Sequence, residues 1–300
     1  MARNLKYQFL TCINNSFVPG VSKHSLKKQK LTNCNKIFSY NDRKNLINIS
    51  SSFSSFIKKK FPDVKLAKNI KSEHINQFLL EKSSTCSTET LNLYRSNFKK
   101  LGKTVEAYYH CEVNWKPNNY SGYKDSIRNV SMDYKDYSTL LASYKKGSTG
   151  YNALYFCYSF GCRREELAKL KVKDLIISNN KATLKIIDGK GKKSRVVTCS
   201  HNNLSYFEEI KSKMTENDRI IPINKESITK NVRLHLKQTN LAEKYDKTCI
   251  HSIRKLFAQT SYNNFRQNMS KKDALNLVAK NLGHGEGRLS LMQRYVQEIW

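Results

Sequence analysis

Apolar positions fall into two regimes along the chain. From Leu46 the helical period sets in: Leu46, Ile49, Phe53 and Phe56/Ile57 recur at i, i+3, i+7 and i+10/i+11, and the stripe ends in Lys58, Lys59 and Lys60, cations that suit a helix C-terminus. A second helix is predicted from Ser72 as N-cap, with Ile75, Phe78 and Leu79 inward. A third is announced by Ser87 and Thr88 and carries Leu91, Tyr94, Phe98 and Leu101. Helices through Leu140/Leu141 and Ala153 to Phe160 lead to Gly161, and Glu165 to Leu170 resumes the period. There the spacing changes to two. Ala182, Leu184 and Ile186 alternate with polar residues, Asp188-Gly189-Lys190-Gly191 reads as a turn, and Arg195 to Thr198 is β-prone, so a hairpin with a lysine at its tip is expected. Helices return near 204–211, 226–238, 249–265, 271–282 and 290–299.

This pattern predicts a mainly α chain with a small β-hairpin or sheet, of α+β class. Residues 1–36 are polar, carry Pro19, Gly20 and the run Lys27, Lys28, Lys30, and read as a flexible basic arm. Residues 37–115 read as a small all-helical unit. Residues 116–133, with Pro117, Gly122, paired asparagines and no apolar period, read as a linker, and 134–300 as a second domain.

Charge narrows the function. Fifty-four Lys+Arg against 24 Asp+Glu leave +30 on 300 residues, which excludes an acidic tail and points to a polyanion as partner. The excess is +15 on each side of residue 130, so it belongs to both halves. No stretch reaches the roughly 18 apolar residues of a membrane span, and MARNLKYQFL has no signal-peptide core, so an intracellular, cytoplasmic protein is expected. The eight cysteines form no C-x-x-C pair and no zinc spacing with the seven histidines, so reduced, packed thiols are expected.

Five features can carry chemistry. Each has a bland reading that prevails when it is taken alone. His251 and Arg254 share a helix side and can each donate to a phosphate, or they are surface groups on an amphipathic helix. Arg163, after the break at Gly161, can aim its fork at an anion, or it pairs locally with Glu165 and Glu166. Lys190 can swing from a hairpin tip into a groove, or it is an exposed turn residue. His284 follows a Gly283 cap, and Tyr295 lies on the face of Met292, as do many packed tyrosines.

Their order changes the odds. Gly-x-Arg-x-x-Glu-Leu-x-x-Leu (161–170), Gly-Lys-Gly-x-Lys-x-Arg (189–195), His-x-x-Arg (251–254), Leu-Gly-His (282–284) and a tyrosine eleven residues on resemble the tyrosine recombinase (phage integrase) family over about 140 residues. The N-terminal helices resemble that family's core-binding domain. The resemblance implies a site-specific DNA recombinase or integrase, service to a mobile element being part of the expectation, that works through a 3′-phosphotyrosine intermediate without metal or ATP. It implies that Arg163 and Arg254 clamp the scissile phosphate and Tyr295 attacks it. His251 would act as base or acid on the tyrosine oxygen, Lys190 would protonate the leaving 5′-oxygen, and His284 would donate to a non-bridging oxygen, with Glu166 behind them. Double-stranded DNA, a homotetramer on two DNA sites and no cofactor complete the expectation. The alternatives are a type IB topoisomerase-like enzyme and a non-catalytic DNA-binding protein on a recombinase scaffold.

Overall fold

The computed structural model describes residues 4–21, 26, 36–123, 130–187, 189, 194–199, 201, 204–285 and 287–297. It divides into two compact units, Met1–Ser126 and Ile127–Trp300.

The first unit is helical. Helices α1 (Leu5–Ser16), α2 (Tyr40–Lys60), α3 (Ser72–Ser83) and α4 (Thr88–Tyr109) surround a core of stacked and edge-on rings, Phe53 lying 5.3 Å from Phe78 and 4.9 Å from Phe98. Both the α2 stripe and the Ser87 N-cap are as the spacing predicts, the Ser87 hydroxyl accepting from the Thr90 amide. Ser72 differs: it is the first helical residue, and its hydroxyl instead ties down the segment after α4, donating to the Asn114 carbonyl and accepting from the Lys116 amide.

Two expected boundaries are corrected. Residues 1–36 are not a flexible arm throughout, because α1 buries Phe9, Cys12 and Ile13 completely in the core. Its polar residues are used: the Gln8 side chain donates to the Lys65 carbonyl at 2.8 Å and accepts from the Ala67 amide at 2.9 Å. Lys27, Lys28 and Lys30 lie outside the described residues. Nor are residues 116–123 a free linker. Arg95 donates to the Pro117 carbonyl, the Asn118 amide to Asn76 and the Gly122 amide to Thr88, so this stretch is laced to α3 and α4. At the other end Met132 is buried in the second unit's core, its amide donating to the Ser252 carbonyl.

In the second unit, α5 (Tyr134–Ala142) and α6 (Thr149–Phe160) precede the one-turn helix α7 (Arg164–Leu167). A three-stranded antiparallel sheet follows, in the order β1 (Leu175–Ser178), β2 (Lys181–Ile186), β3 (Arg195–Thr198). Ile186 pairs with Arg195 as the predicted hairpin requires, whereas β1 was not foreseen. It joins β2 through Asn179 and Asn180, both at positive φ, as a two-residue hairpin turn demands. Helices α8 (Ser205–Lys213), α9 (Lys225–Gln238), α10 (Ala242–Tyr245), α11 (Ile250–Arg266), α12 (Lys271–Asn281) and α13 (Leu289–Met292) complete the unit. α11 packs on α6 and α12 and is buried almost continuously from Ser252 to Ala258. The helix expected over 290–299 is only one turn long. Past Met292 the Gln297 amide turns to the Gln259 side chain at 2.7 Å, and Val296 buries itself. Among the described residues no helix is long and apolar enough to cross a membrane.

Candidate active site

The site begins at the end of α6. Gly161 caps that helix at φ 60°, ψ 34°, and a Cβ there would fall 2.3 Å from the Phe257 ring, so both conformation and space demand glycine. The left-handed turn points the Gly161 carbonyl at the Arg254 guanidinium, whose Nη1 donates to it. Two residues on, Arg163 opens α7. Its amide donates to Glu166 Oε2 at 2.8 Å, which caps the turn, and its Nη1 donates to Oε1 at 2.8 Å.

The C-terminal end of α12 gathers the cations. Arg163 Nη2 and Arg254 Nη2 both donate to the Leu282 carbonyl, at 2.8 and 2.6 Å, and Arg195 Nε donates to the Asn281 carbonyl at 2.7 Å. Orphan carbonyls at the negative end of a helix suit this duty. Gly283, at φ 69°, then turns the chain away. A Cβ on it would sit 3.1 Å from Arg195 Nη1 and 3.4 Å from Arg163 Nη1, so a side chain here would press on both forks.

Three guanidinium groups therefore face one carboxylate. Arg254 is 1% exposed, and its buried Nε has no hydrogen-bond partner among the described residues. Burial first, and the neighbouring Arg163 second, pull its pKa down to about 10, still far above neutrality. Glu166 is buried as well. Burial would raise its carboxyl, but hydrogen bonds and charge from Arg195, the Arg163 amide and the charge of Arg254 prevail and hold it at about 2. The net charge of the cluster is +2, in a place where water is largely excluded. Such a fixed cationic pocket stabilises an anion whose charge grows from −1 to −2, as on a phosphodiester passing to a pentavalent state.

Tyr295 closes the cluster. Its hydroxyl lies 3.2 Å from His284 Nε2, its ring 5.3 Å from the His284 ring and 5.6 Å edge-on from that of His251, with Arg254 Cζ 6.0 Å from the ring centre. His284 is positioned from behind, its amide donating to the Ala279 carbonyl. Of the residues named from sequence, Arg163, Glu166, His251, Arg254, His284 and Tyr295 are thus drawn together from four separate segments. Lys190 lies outside the described residues.

The second unit answers to a family model. Residues 131–298 match the phage integrase family. The chain belongs to the phage integrase family. Solved recombinases and integrases share its fold. XerH site-specific recombinase bound to a palindromic difH substrate, in a post-cleavage complex, covers 97% of this chain and 89% of its own, at 19% identity and a TM-score of 0.63. A lambda integrase tetramer bound to a Holliday junction covers 94% and 78%, at 16% identity and 0.61. The Tn1549 transposon integrase with circular intermediate DNA covers 98% and 95%, at 13% identity and 0.57. No curated protein gives a significant match.

Sequence reasoning passed over Arg195 as a functional residue, although it stands in the Gly-Lys-Gly-x-Lys-x-Arg motif. It also passed over Lys255, 1% exposed beside Arg254, whose ammonium burial and Arg294 pull down to about 8. In the first unit, a cavity of about 460 Å³ is lined by Arg95, Lys99, Lys103 and Lys116 over Trp115. The first three recur at i, i+4 and i+8 on α4 and give this unit a cationic stripe.

Proposed function

We propose that this integrase-family chain is a site-specific DNA recombinase that cuts and rejoins strands through a phosphotyrosine at Tyr295, in the service of a mobile element. The observation that carries the reading is Tyr295, whose hydroxyl lies 3.2 Å from His284 Nε2 and whose ring stands beside Arg254 and His251. Arg163 and Arg254 take the non-bridging oxygens of the scissile phosphate. Their guanidinium groups are held by carbonyls and Glu166, so little reorganisation is needed as charge develops. The tyrosine oxygen attacks phosphorus, its proton passes to His251, and the 5′-oxygen leaves with a proton from Lys190. His284 donates to a non-bridging oxygen. Reversal with another 5′-hydroxyl rejoins the strand, and the phosphotyrosine bond conserves the linkage between the two steps.

Double-stranded DNA is the partner in this reading, with both units basic enough to hold it. Lambda integrase is solved as a tetramer on a Holliday junction, and we propose the same tetrameric working form here. The division of labour we propose is a core-binding N-terminal unit that carries the α4 stripe and a catalytic unit that carries the cluster. Nicked suicide duplexes bearing the ends of the element that encodes the protein test the reaction. Tyr295→Phe is expected to bind them like wild type and form no covalent adduct; an adduct from the variant overturns the assignment.

A further inference from the structure

Arg195 touches nothing that a phosphate would need. Its three nitrogens are all turned to protein: Nη1 and Nη2 make a parallel pair of bonds to Glu166 at 2.8 and 2.7 Å, and Nε donates to the Asn281 carbonyl at 2.7 Å. Its side chain is 8% exposed, against 17% for Arg163. We propose that Arg195 is a positioning residue for strand cleavage: its fork engages the Glu166 carboxylate on both oxygens and so fixes the direction in which Arg163 presents its guanidinium to the scissile phosphate. This rests on the reading of Arg163 as a phosphate ligand.

Glu166 accepts four donors, two from Arg163 and two from Arg195, one of each on either oxygen. A carboxylate has lone pairs for about that number, so it is saturated and cannot turn. Take Arg195 away and Oε1 and Oε2 each lose a donor. The carboxylate is then buried with one guanidinium for a partner, and its best arrangement is a parallel pair of bonds to Arg163. Reaching it means giving up the capping bond to the Arg163 amide and drawing the fork off the Leu282 carbonyl. A phosphate ligand becomes the closed half of an ion pair.

The second anchor of Arg195 acts on the same geometry from the other side. Asn281 immediately precedes Leu282, whose carbonyl orients both Arg163 and Arg254, and lies three residues before His284. One side chain on β3 thereby sets the register between α7 and the end of α12. Lysine cannot replace it, because an ammonium offers no planar fork and cannot span both carboxylate oxygens and the carbonyl.

The charged and titratable groups around Glu166 are Cys157 of α6, Cys162 and Arg163 between α6 and α7, Arg195 of β3 and Arg254 of α11. Only the arginines lower its carboxyl. With Arg195 gone, burial gains ground and Glu166 titrates closer to neutrality, which a merely structural arginine elsewhere would not bring about.

Single-turnover adduct formation on the suicide duplexes, with wild type, Arg195→Ala and Arg195→Lys, tests this as a function of pH. Both variants are expected to bind the duplex like wild type and to cleave it roughly 10- to 100-fold more slowly, the usual cost of losing an outer partner of a catalytic group. Relative to wild type at the same pH, their rate is expected to fall further from about pH 7 to about pH 5. Arg195→Gln, which keeps a donor for one carboxylate oxygen, replaces Arg195→Ala if the alanine variant does not fold. Titration of the side-chain carboxyls by ¹³C NMR needs no DNA: the Glu166 signal is expected to move at a distinctly higher pH in the variants. An unshifted Glu166 titration, or cleavage with wild-type rate and pH profile, overturns the role of Arg195. A wild-type protein that forms no adduct on Tyr295 overturns the reading of the reaction instead, and the DNA-free titration still decides whether Arg195 governs Glu166.

Discussion

The interiors of the two units are built on opposite terms. In the first, Phe9, Phe53, Phe78 and Phe98 meet ring against ring, and polar residues that enter, such as Gln8, are met by backbone partners. In the second, a core of comparable apolar character has been opened to admit Arg254, Arg195 and Glu166. Ring packing rewards burial directly. Buried ions must first lose their water, and only close partners offset that loss, so an apolar cluster in the same place would serve stability as well, and the charged one is kept for what it can do to an anion. The first unit is therefore built to hold a shape, and the second to hold a charge in a chosen place.

Mutation separates the two most sharply. Phe53→Ala removes a fully buried ring and is expected to cost about 3–5 kcal/mol in urea unfolding of the first unit, with cleavage chemistry by the second unaltered once DNA is bound. Glu166→Gln leaves Arg163 and Arg195 without their carboxylate and is expected to cost the second unit a similar amount, about 3–5 kcal/mol, together with a large fall in adduct formation. If Glu166→Gln proves neutral in both unfolding and cleavage, the contrast between the units fails.

Acid sharpens the same contrast. Glu166 is held at about 2 against an ordinary 4.5. A depressed carboxyl contributes stability that is complete above the unfolded value and is lost as pH falls from about 4.5 towards about 2, and the size is on the order of 3 kcal/mol. Chemical denaturation through that window is expected to show the loss in wild type and to show none of it in Glu166→Gln. Equal slopes for the two proteins would remove the carboxylate from the account.

Backbone effects come next. Gly161→Ala forces a Cβ into left-handed backbone, which costs about 1–2 kcal/mol before the Phe257 clash is counted. Thermal melts are expected to fall accordingly, with cleavage lowered further because the carbonyl that orients Arg254 moves. The smallest effect is electrostatic. Lys103→Glu in the α4 stripe is expected to weaken duplex binding and lower the slope of log K against log salt by about 1, without changing the cleavage rate of bound DNA. A slope identical to wild type would take the stripe out of the DNA interface.

Much of this was legible beforehand, for identifiable reasons. The long stripes of α2, α4 and α11 follow from apolar spacing, and all seven residues named for the site come from motifs whose order singles them out, six of them lying among the described residues. Helix α1 was hidden by its polar letters, Gln8 being buried through side-chain hydrogen bonds that no hydropathy pattern reveals. Strand β1 is four residues long, too short for alternation to show, yet the Asn179-Asn180 pair before β2 was a usable turn signal. The short α13 depends on Gln297 finding the Gln259 side chain, a contact from α11 with no local signature. Arg195 was visible in its motif, but its work is defined by Glu166 and Asn281, 29 and 86 residues away.

The central claim is that Tyr295 carries the cleaved strand while fixed arginines neutralise the phosphate. Covalent capture tests it most directly: wild-type protein is incubated with the nicked suicide duplexes in EDTA, denatured and digested, and the DNA-linked peptide is mapped. The account predicts a single adduct on Tyr295, formed without added metal. Attachment at another residue, or tight binding of the same duplex with no adduct at all, would contradict it.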